Sequence, residues 1–312
     1  MTTLDMVIPT YNRSNLLRKT LQSVVRAKLP ESLIVTIIVA DNNSTDETRH
    51  LVETFKIDKE NIDLRYILAR EQGSSQARNA GIAAGCGDLI GFVDDDEEIR
   101  DDWFEVVVSA FSDETLDYVG GSCESEPDVK IPDWFPAAYN GVIGIVNTVG
   151  SITPYSEAYP GILMGGNAVF RRHVFTTVGT YNTDLGRKQQ KQLTCGEDRE
   201  MYLRLLSAGL FGLYLPNLVI FHHIPAERMT EAYLRRWVFW HGVSMGVLDR
   251  QTPMTVPYLL GFPRYQLRVV ATSCLNLLKT CVDRSKNKSK LLDELKVRDI
   301  LGFAYGKYMY RS

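Results

Sequence analysis

Apolar and polar positions change period several times along the chain. Four short apolar runs lie in the first third: Asp5–Pro9, Ile34–Ala40, Leu64–Leu68 and Leu89–Val93. They read as strands; the continuously apolar Ile34–Ala40 is what a parallel strand buried on both faces requires, and Leu89–Val93, with glycines at its edges, reads as buried too. Helical periodicity separates them. Leu17, Leu21, Val24 and Val25 share one face of a helix from about Asn15 to Ala27, with Ser14 as its expected N-cap. Ser44-Thr45-Asp46-Glu47 reads as a capping box ahead of Leu51, Val52 and Phe55. Ser75–Ala84 reads as a small-residue helix, and Asp101–Phe111 as another. Strand, loop and helix repeated in this way predict an α/β fold: a parallel, doubly wound sheet with right-handed crossovers.

Further on, Tyr118–Ser122 reads as a strand, and Asp128–Tyr139, with Pro132, Trp134, Phe135 and Pro136, as an irregular loop. Residues 182–196 are polar and read as a loop that orders on ligand binding. Gly196-Glu197-Asp198-Arg199-Glu200 opens a helix whose apolar face holds Tyr202, Leu205 and Leu206 and which ends at Gly209. Leu213–Leu215 and Leu218–Phe221 predict two short strands, followed by His222-His223. Residues 266–282 place Leu267, Val270, Ala271, Cys274, Leu278 and Cys281 on one helical face. Such a helix either packs on the body or lies at an interface.

The 312 residues are 45% hydrophobic, enough for a substantial core. A formal charge of -3 conceals an asymmetry. Residues 228–312 hold 15 Lys/Arg against 6 Asp/Glu, a net of +9, so residues 1–227 carry -12. The acidic body argues against a nucleic-acid partner. The basic end suits an anionic membrane surface or an acidic partner. Five scattered cysteines, without a CxxC, point to free thiols in a reducing compartment. Neither a signal peptide nor an apolar run of membrane-spanning length is legible. The expectation is a cytoplasmic protein, with peripheral contact at the inner face of a membrane as an extension of it.

The chemistry gathers where strands end. The fourth strand runs into Asp94, Asp95 and Asp96. Three carboxylates there repel one another and lose hydration. A divalent cation, which takes oxygen ligands, would relieve both and could hold a phosphate; the alternative is a solvated acidic turn. Thr10–Arg13 follows the first strand and Asp41 the second, so three polar clusters converge on the sheet edge where such folds bind ligands. No GxGxxG or GxxxxGK[ST] is present, leaving a carboxylate-held metal to neutralise a diphosphate.

The stretches Val-Ile-Pro-Thr-Tyr-Asn-Arg (7–13), Val-Ala-Asp-Asn-Asn-Ser-Thr-Asp (39–46), Ala-Arg-Asn-Ala-Gly (77–81) and Phe-Val-Asp-Asp-Asp (92–96) resemble family 2 glycosyltransferases, in the family's order. The resemblance covers about residues 4–225. It implies a GT-A-like (Rossmann-like), mostly parallel sheet flanked by helices and an inverting enzyme that uses nucleotide sugars, often UDP-sugars. Pro9, Thr10 and Tyr11 would then wall the nucleobase, Asp41 bond the uracil edge, and Arg13 and Arg78 lie near the nucleotide. Asp94 would touch the ribose side, Asp95 would stand with it, and Asp96 would hold Mn2+ or Mg2+, with His222 favoured over His223 to complete the metal shell. Gly165, Gly166 and Asn167 would lie by the acceptor, a saccharide or a lipid-linked glycan. Asp198 would be the base, helped by Glu197.

The expected organisation is a catalytic domain at 1–227, split near residue 122 into nucleotide and acceptor halves, and a basic helical C-terminal appendage at 228–312. Tyr233-Leu-Arg-Arg-Trp237 resembles the Gln-x-x-Arg-Trp motif of processive members but has Tyr where Gln would stand, which argues against a processive synthase. A sugar nucleotidyltransferase or a non-catalytic nucleotide-sugar-binding module are the alternatives. The first needs a basic Gly-rich loop that Thr10–Arg13 does not supply.

Overall fold

The first apolar run forms strand β1 (Thr2–Thr10), the second β2 (Leu33–Asp41), the third β3 (Ile62–Leu68) and the fourth β4 (Leu89–Phe92) in a computed structural model of the chain. The structure describes residues 1–146, 149–157, 163–187, 193–280 and 287–310. β1 pairs in parallel with both β2 and β4, and β2 pairs in parallel with β3. Helices α1 (Ser14–Arg26), α2 (Thr48–Thr54) and α3 (Ser74–Ala84) make the crossovers. Every residue of β4 is buried, as a central strand requires.

Beyond β4 the sheet becomes mixed. Its order is β3-β2-β1-β4-β8-β6-β9-β5, where β5 is Glu97–Ile99, β6 Tyr118–Ser125, β8 Ala168–Arg171 and β9 Gly212–His222; β7 (Thr153–Pro154) pairs with β9. β8 runs against both β4 and β6, while β6 and β9 are parallel to each other. The expected mostly parallel α/β sheet is therefore present, with its antiparallel members confined to one half. The two strands expected at 213–221 are one strand, β9. Pro216 and Asn217 interrupt its apolar pattern, and the pairing with β6 shifts register between Gly121 and Ser122 to carry them.

The core lies on both faces of this sheet. α1 buries Leu17, Leu21 and Val24 against Met6, Val35 and Ile37. The other helices are α4 (Trp103–Ala110), α5 (His173–Val178) and α6 (Glu197–Ser207). Trp103 and Phe104 of α4 are fully buried, and each such side chain contributes roughly 1.5–3 kcal/mol. On the other face Phe92, Phe170, Phe175 and Tyr181 meet edge to face or tilted, at centroid distances of 5.2–6.5 Å.

Two local expectations fail for one reason. Ser14 does not cap α1; it is the first helical residue, and its N–H donates to Asp46 Oδ2 at 2.9 Å. Ser44 does not open a capping box either, because α2 begins at Thr48. The Ser44 hydroxyl accepts from Asn12 N–H at 2.8 Å, and Asn12 Oδ1 accepts from Thr45 N–H at 2.7 Å. These polar side chains tie the β1–α1 loop to the β2–α2 loop instead of capping their own helices.

The contacts divide the chain into two units: Met1–Val129 with Gly144–Thr183 and Glu197–Ile224, and Lys130–Ile143 with Asp184–Gly196 and Pro225–Ser312. The second is built on helices α7 (Glu231–Gln251), α8 (Arg264–Thr280) and α9 (Asn287–Tyr308). Thr230 caps α7, its hydroxyl accepting from Tyr233 N–H. Gly242 and Gly246 of α7 lie against backbone of α9, and Gly302 and Gly306 of α9 against backbone of α7; a Cβ at any of the four would overlap main-chain atoms. α7 and α8 are joined through a hairpin of β10 (Tyr258–Leu259) and β11 (Phe262–Pro263). The buried Asp249 pairs with the partly exposed Lys307 at 2.7 Å, and Lys307 also donates to the Gly261 carbonyl at 2.7 Å. Among the described residues no helix is long and apolar enough to cross a membrane.

Candidate active site

The carboxyl ends of β1, β2 and β4 bring the expected polar clusters together. Thr10, the last residue of β1, is buried and its hydroxyl donates to Asp95 Oδ2 at 2.8 Å. Arg13, three residues on, donates to Asp95 Oδ1 at 2.9 Å and Asp96 Oδ2 at 2.8 Å. The Thr20 hydroxyl of α1 donates to the Asp95 carbonyl at 3.1 Å. Pro9 is partly exposed and Tyr11 is 37% exposed at the mouth of the same loop. Asp41 ends β2, where its carboxylate accepts from Ser44 N–H at 2.9 Å and Tyr66 Oη at 2.8 Å.

A second group surrounds Arg78 of α3, whose side chain is 5% exposed. It donates to Asp94 Oδ1 at 2.7 Å and its Nη1 lies 3.5 Å from Glu197 Oε1. The guanidinium also lies over the Tyr181 ring, 5.6 Å from its centroid. Burial alone would lower the pKa of Arg78, but Asp94 and Asp198 hold it above the ordinary value. Arg78 thus joins the acidic end of β4 to the acidic start of α6.

The carboxylates themselves are under strain from lost hydration. Burial raises Asp95 to about 6 despite the neighbouring Arg13, with Asp96 adding to the rise. Burial, then Asp94 and Asp96, carries Glu97 well above the ordinary range. Glu97, passed over in the sequence, accepts from Asp94 N–H at 2.8 Å, and a Cβ on Gly166 would overlap its carboxylate. The unbroken acidic run Asp94–Glu98 is the signal that marks it. Burial and then Glu197 push Asp198 up to about 7, although Arg78 pulls it back. Gly165 meets Asp198 directly: a Cβ there would overlap its carboxylate.

Asn167 has a different place. It is fully buried; its amide donates to the Ser122 and Leu218 carbonyls at 2.9 and 2.8 Å, and its oxygen accepts from Trp103 Nε1 at 3.0 Å. It braces the strands behind the Gly165-Gly166 turn. The two histidines after β9 diverge. His222 is buried with Nε2 3.7 Å from Asp96 Oδ2, whereas His223 Nδ1 lies 2.9 Å from Glu126 Oε2. Among the described residues no three His, Cys, Asp or Glu side chains form a ready metal cage. Asp96 and His222 nonetheless supply oxygen and imidazole donors beside a surplus of buried negative charge, a set suited to Mn2+ or Mg2+ completed by ligand oxygens. Of the polar loop at 182–196, residues 188–192 lie outside the described residues.

The Glycosyl transferase family 2 profile matches residues 5–179, and the chain belongs to that family of enzymes. It is 25% identical over 246 residues to the succinoglycan biosynthesis protein ExoM of Rhizobium meliloti, covering 78% of this chain and 74% of that one. It is 26% identical over 252 residues to the glucosyl-dolichyl phosphate glucuronosyltransferase of Haloferax volcanii, covering 80% and 78%. The mannosyltransferase PcManGT of Pyrobaculum calidifontis, solved with GDP-Man and Mn2+, shares the fold with a TM-score of 0.63 at 19% identity, over 99% of this chain and 88% of that one.

Proposed function

We propose that the protein moves a sugar, with inversion, from a nucleotide-sugar donor to an acceptor hydroxyl of a saccharide or lipid-linked glycan. UDP-sugars are the donors we favour. The observation that carries this reading is Arg78, which brings the donor-side Asp94 and the helix-borne Glu197 into one site. In this reading Pro9, Thr10, Tyr11 and Asp41 receive the nucleobase, and Arg13 turns from Asp95 and Asp96 toward the nucleotide as the donor enters. Asp96 and His222 hold the divalent cation. When bound, that cation stabilises the charge that develops on the leaving diphosphate. The metal in the PcManGT complex and the lipid-linked theme in the name of the Haloferax relative support the same view.

A single displacement needs one carboxylate on the acceptor side to take the hydroxyl proton. Asp198 has that role, because it stands at the start of α6 against Gly165 and its pKa of about 7 suits a proton acceptor near neutrality. Glu197 orients the site through Arg78, and Asn167 holds the Gly165-Gly166 turn that receives the acceptor. Release of nucleoside diphosphate from a panel of UDP-, GDP- and dTDP-sugars, with Mn2+ and with chelator, tests the reading. Turnover in excess chelator, or none with any donor, would overturn it.

A further inference from the structure

The second unit carries a surface that the transfer reaction does not use. At the turn of the β10–β11 hairpin, Leu259 is 51% exposed and Leu260 83% exposed. Leu260 has φ +52°, a left-handed conformation that a branched apolar side chain rarely adopts. The turn is not loose. The Tyr258 hydroxyl donates to Asp249, and Lys307 donates both to Asp249 and to the Gly261 carbonyl, so α7 and α9 hold it from within. Two leucines are thus presented outward by the Asp249–Lys307 ion pair.

Helix α8 starts directly after this hairpin. Of the helical face read at residues 266–282, either packed on the body or interfacial, Ala271, Cys274 and Leu278 are exposed, while Gln266 and Ser273 are buried and Cys281 lies outside the described residues. The outward face holds Arg264, Arg268, Ala271, Leu275, Leu278 and Lys279, with Leu275 58% and Leu278 68% exposed. These positions follow the i, i+4, i+7 spacing of one helical stripe. The helix contains no acidic residue. Arg264 and Arg268 also line a cavity of about 310 Å³ with Val256, Pro257 and Tyr265, next to the leucine turn. Exposed leucines interleaved with cations on a helix that holds no acidic residue face water poorly on one count and an anionic lipid surface well on both.

We propose that the Leu259-Leu260 turn and the outward face of α8 seat the protein on an anionic membrane. The leucines enter the acyl boundary, Arg264 and Arg268 take a lipid phosphate in the cavity between them, and Lys279 adds to the attraction. This surface shares no residue with the proposed transfer site, and its test needs neither donor nor acceptor.

Flotation of the full chain with vesicles of phosphatidylcholine alone, and of phosphatidylcholine mixed with phosphatidylglycerol, reads it out. Binding is expected only to the anionic vesicles. R264Q/R268Q should weaken it on the order of tenfold or more, and L259S/L260S at least as much. Both changes are at exposed positions, and circular dichroism with thermal melts verifies that the variants stay folded. Three results would overturn the proposal: equal binding to neutral vesicles, unchanged binding of L259S/L260S, or light scattering that shows these leucines closing a dimer of the chain.

Discussion

Gly165 leaves open the space that the Asp198 carboxylate fills. The glycine is two residues from the fully buried Asn167, and the aspartate is in the first turn of α6, so neither can retreat far. A methyl group at Gly165 should therefore move the carboxylate. Gly165→Ala is expected to lower kcat by about 10²-fold, the cost of an ångström of misplacement, with nucleotide affinity nearly unchanged. Steady-state kinetics beside nucleotide titration separates the two.

Asp198, in the proposed role of base, should also set a pH limb. Its carboxyl is held up to about 7, chiefly by burial and then by Glu197. As a base it must be ionised, so kcat should rise with pH through about 7 and level above it. The same shift acts oppositely on stability. The unfolded chain ionises this group near 3.9 while the fold retains the proton, so stability falls as pH climbs from there toward 7. Asp198→Asn removes both dependences and should cut turnover on the order of 10² to 10⁴. A pH–rate profile of the residual activity that keeps the limb would assign it to another group.

Metal dependence should concentrate at Asp96 and His222. Asp96→Ala is expected to abolish turnover, whereas loss of Asp95 should cost less. His222→Ala should weaken Mn2+ binding by about 10- to 100-fold, while His223→Ala, whose ring pairs with Glu126, should leave it unchanged. Isothermal titration with Mn2+ in the presence of nucleotide measures this without relying on activity.

Lys307→Met tests the second unit. It leaves Asp249 buried without its cation, for an expected loss of about 3–5 kcal/mol. In the intact protein the Asp249 pKa is lowered against the opposing effect of burial, by the Lys307 and Tyr258 hydrogen bonds. Its contribution is thus present above the ordinary carboxylate pKa and is lost as pH falls through the lower folded value. Thermal melts of both proteins across that acid range should converge; parallel curves would deny the pair this role.

The parallel half of the sheet is plain in the sequence because a strand buried on both faces must be apolar throughout, as Ile37–Ala40 are. The site's acidic ends are equally plain, since Asp94, Asp95 and Asp96 interrupt that pattern together. Other features are set by partners distant in sequence. Ser44 looks like a cap until Asn12 claims its hydroxyl. Glu97–Ile99 pairs as an edge strand with β9, more than a hundred residues away, and its acidic composition conceals it. Asn167 looks like a ligand residue in the chain and is a brace in the fold, because the three groups that occupy its amide come from three other segments.

The glycines that interleave α7 and α9 have a consequence for synthesis. Gly242 leaves the ribosome 60 positions ahead of Gly302, and Gly246 the same distance ahead of Gly306. Through that interval α7 presents a bare backbone groove with nothing to fill it. Docking of α9 must then wait until α9 itself has been made, and a nascent chain stalled before α9 offers that groove to chaperones or to other unfinished copies.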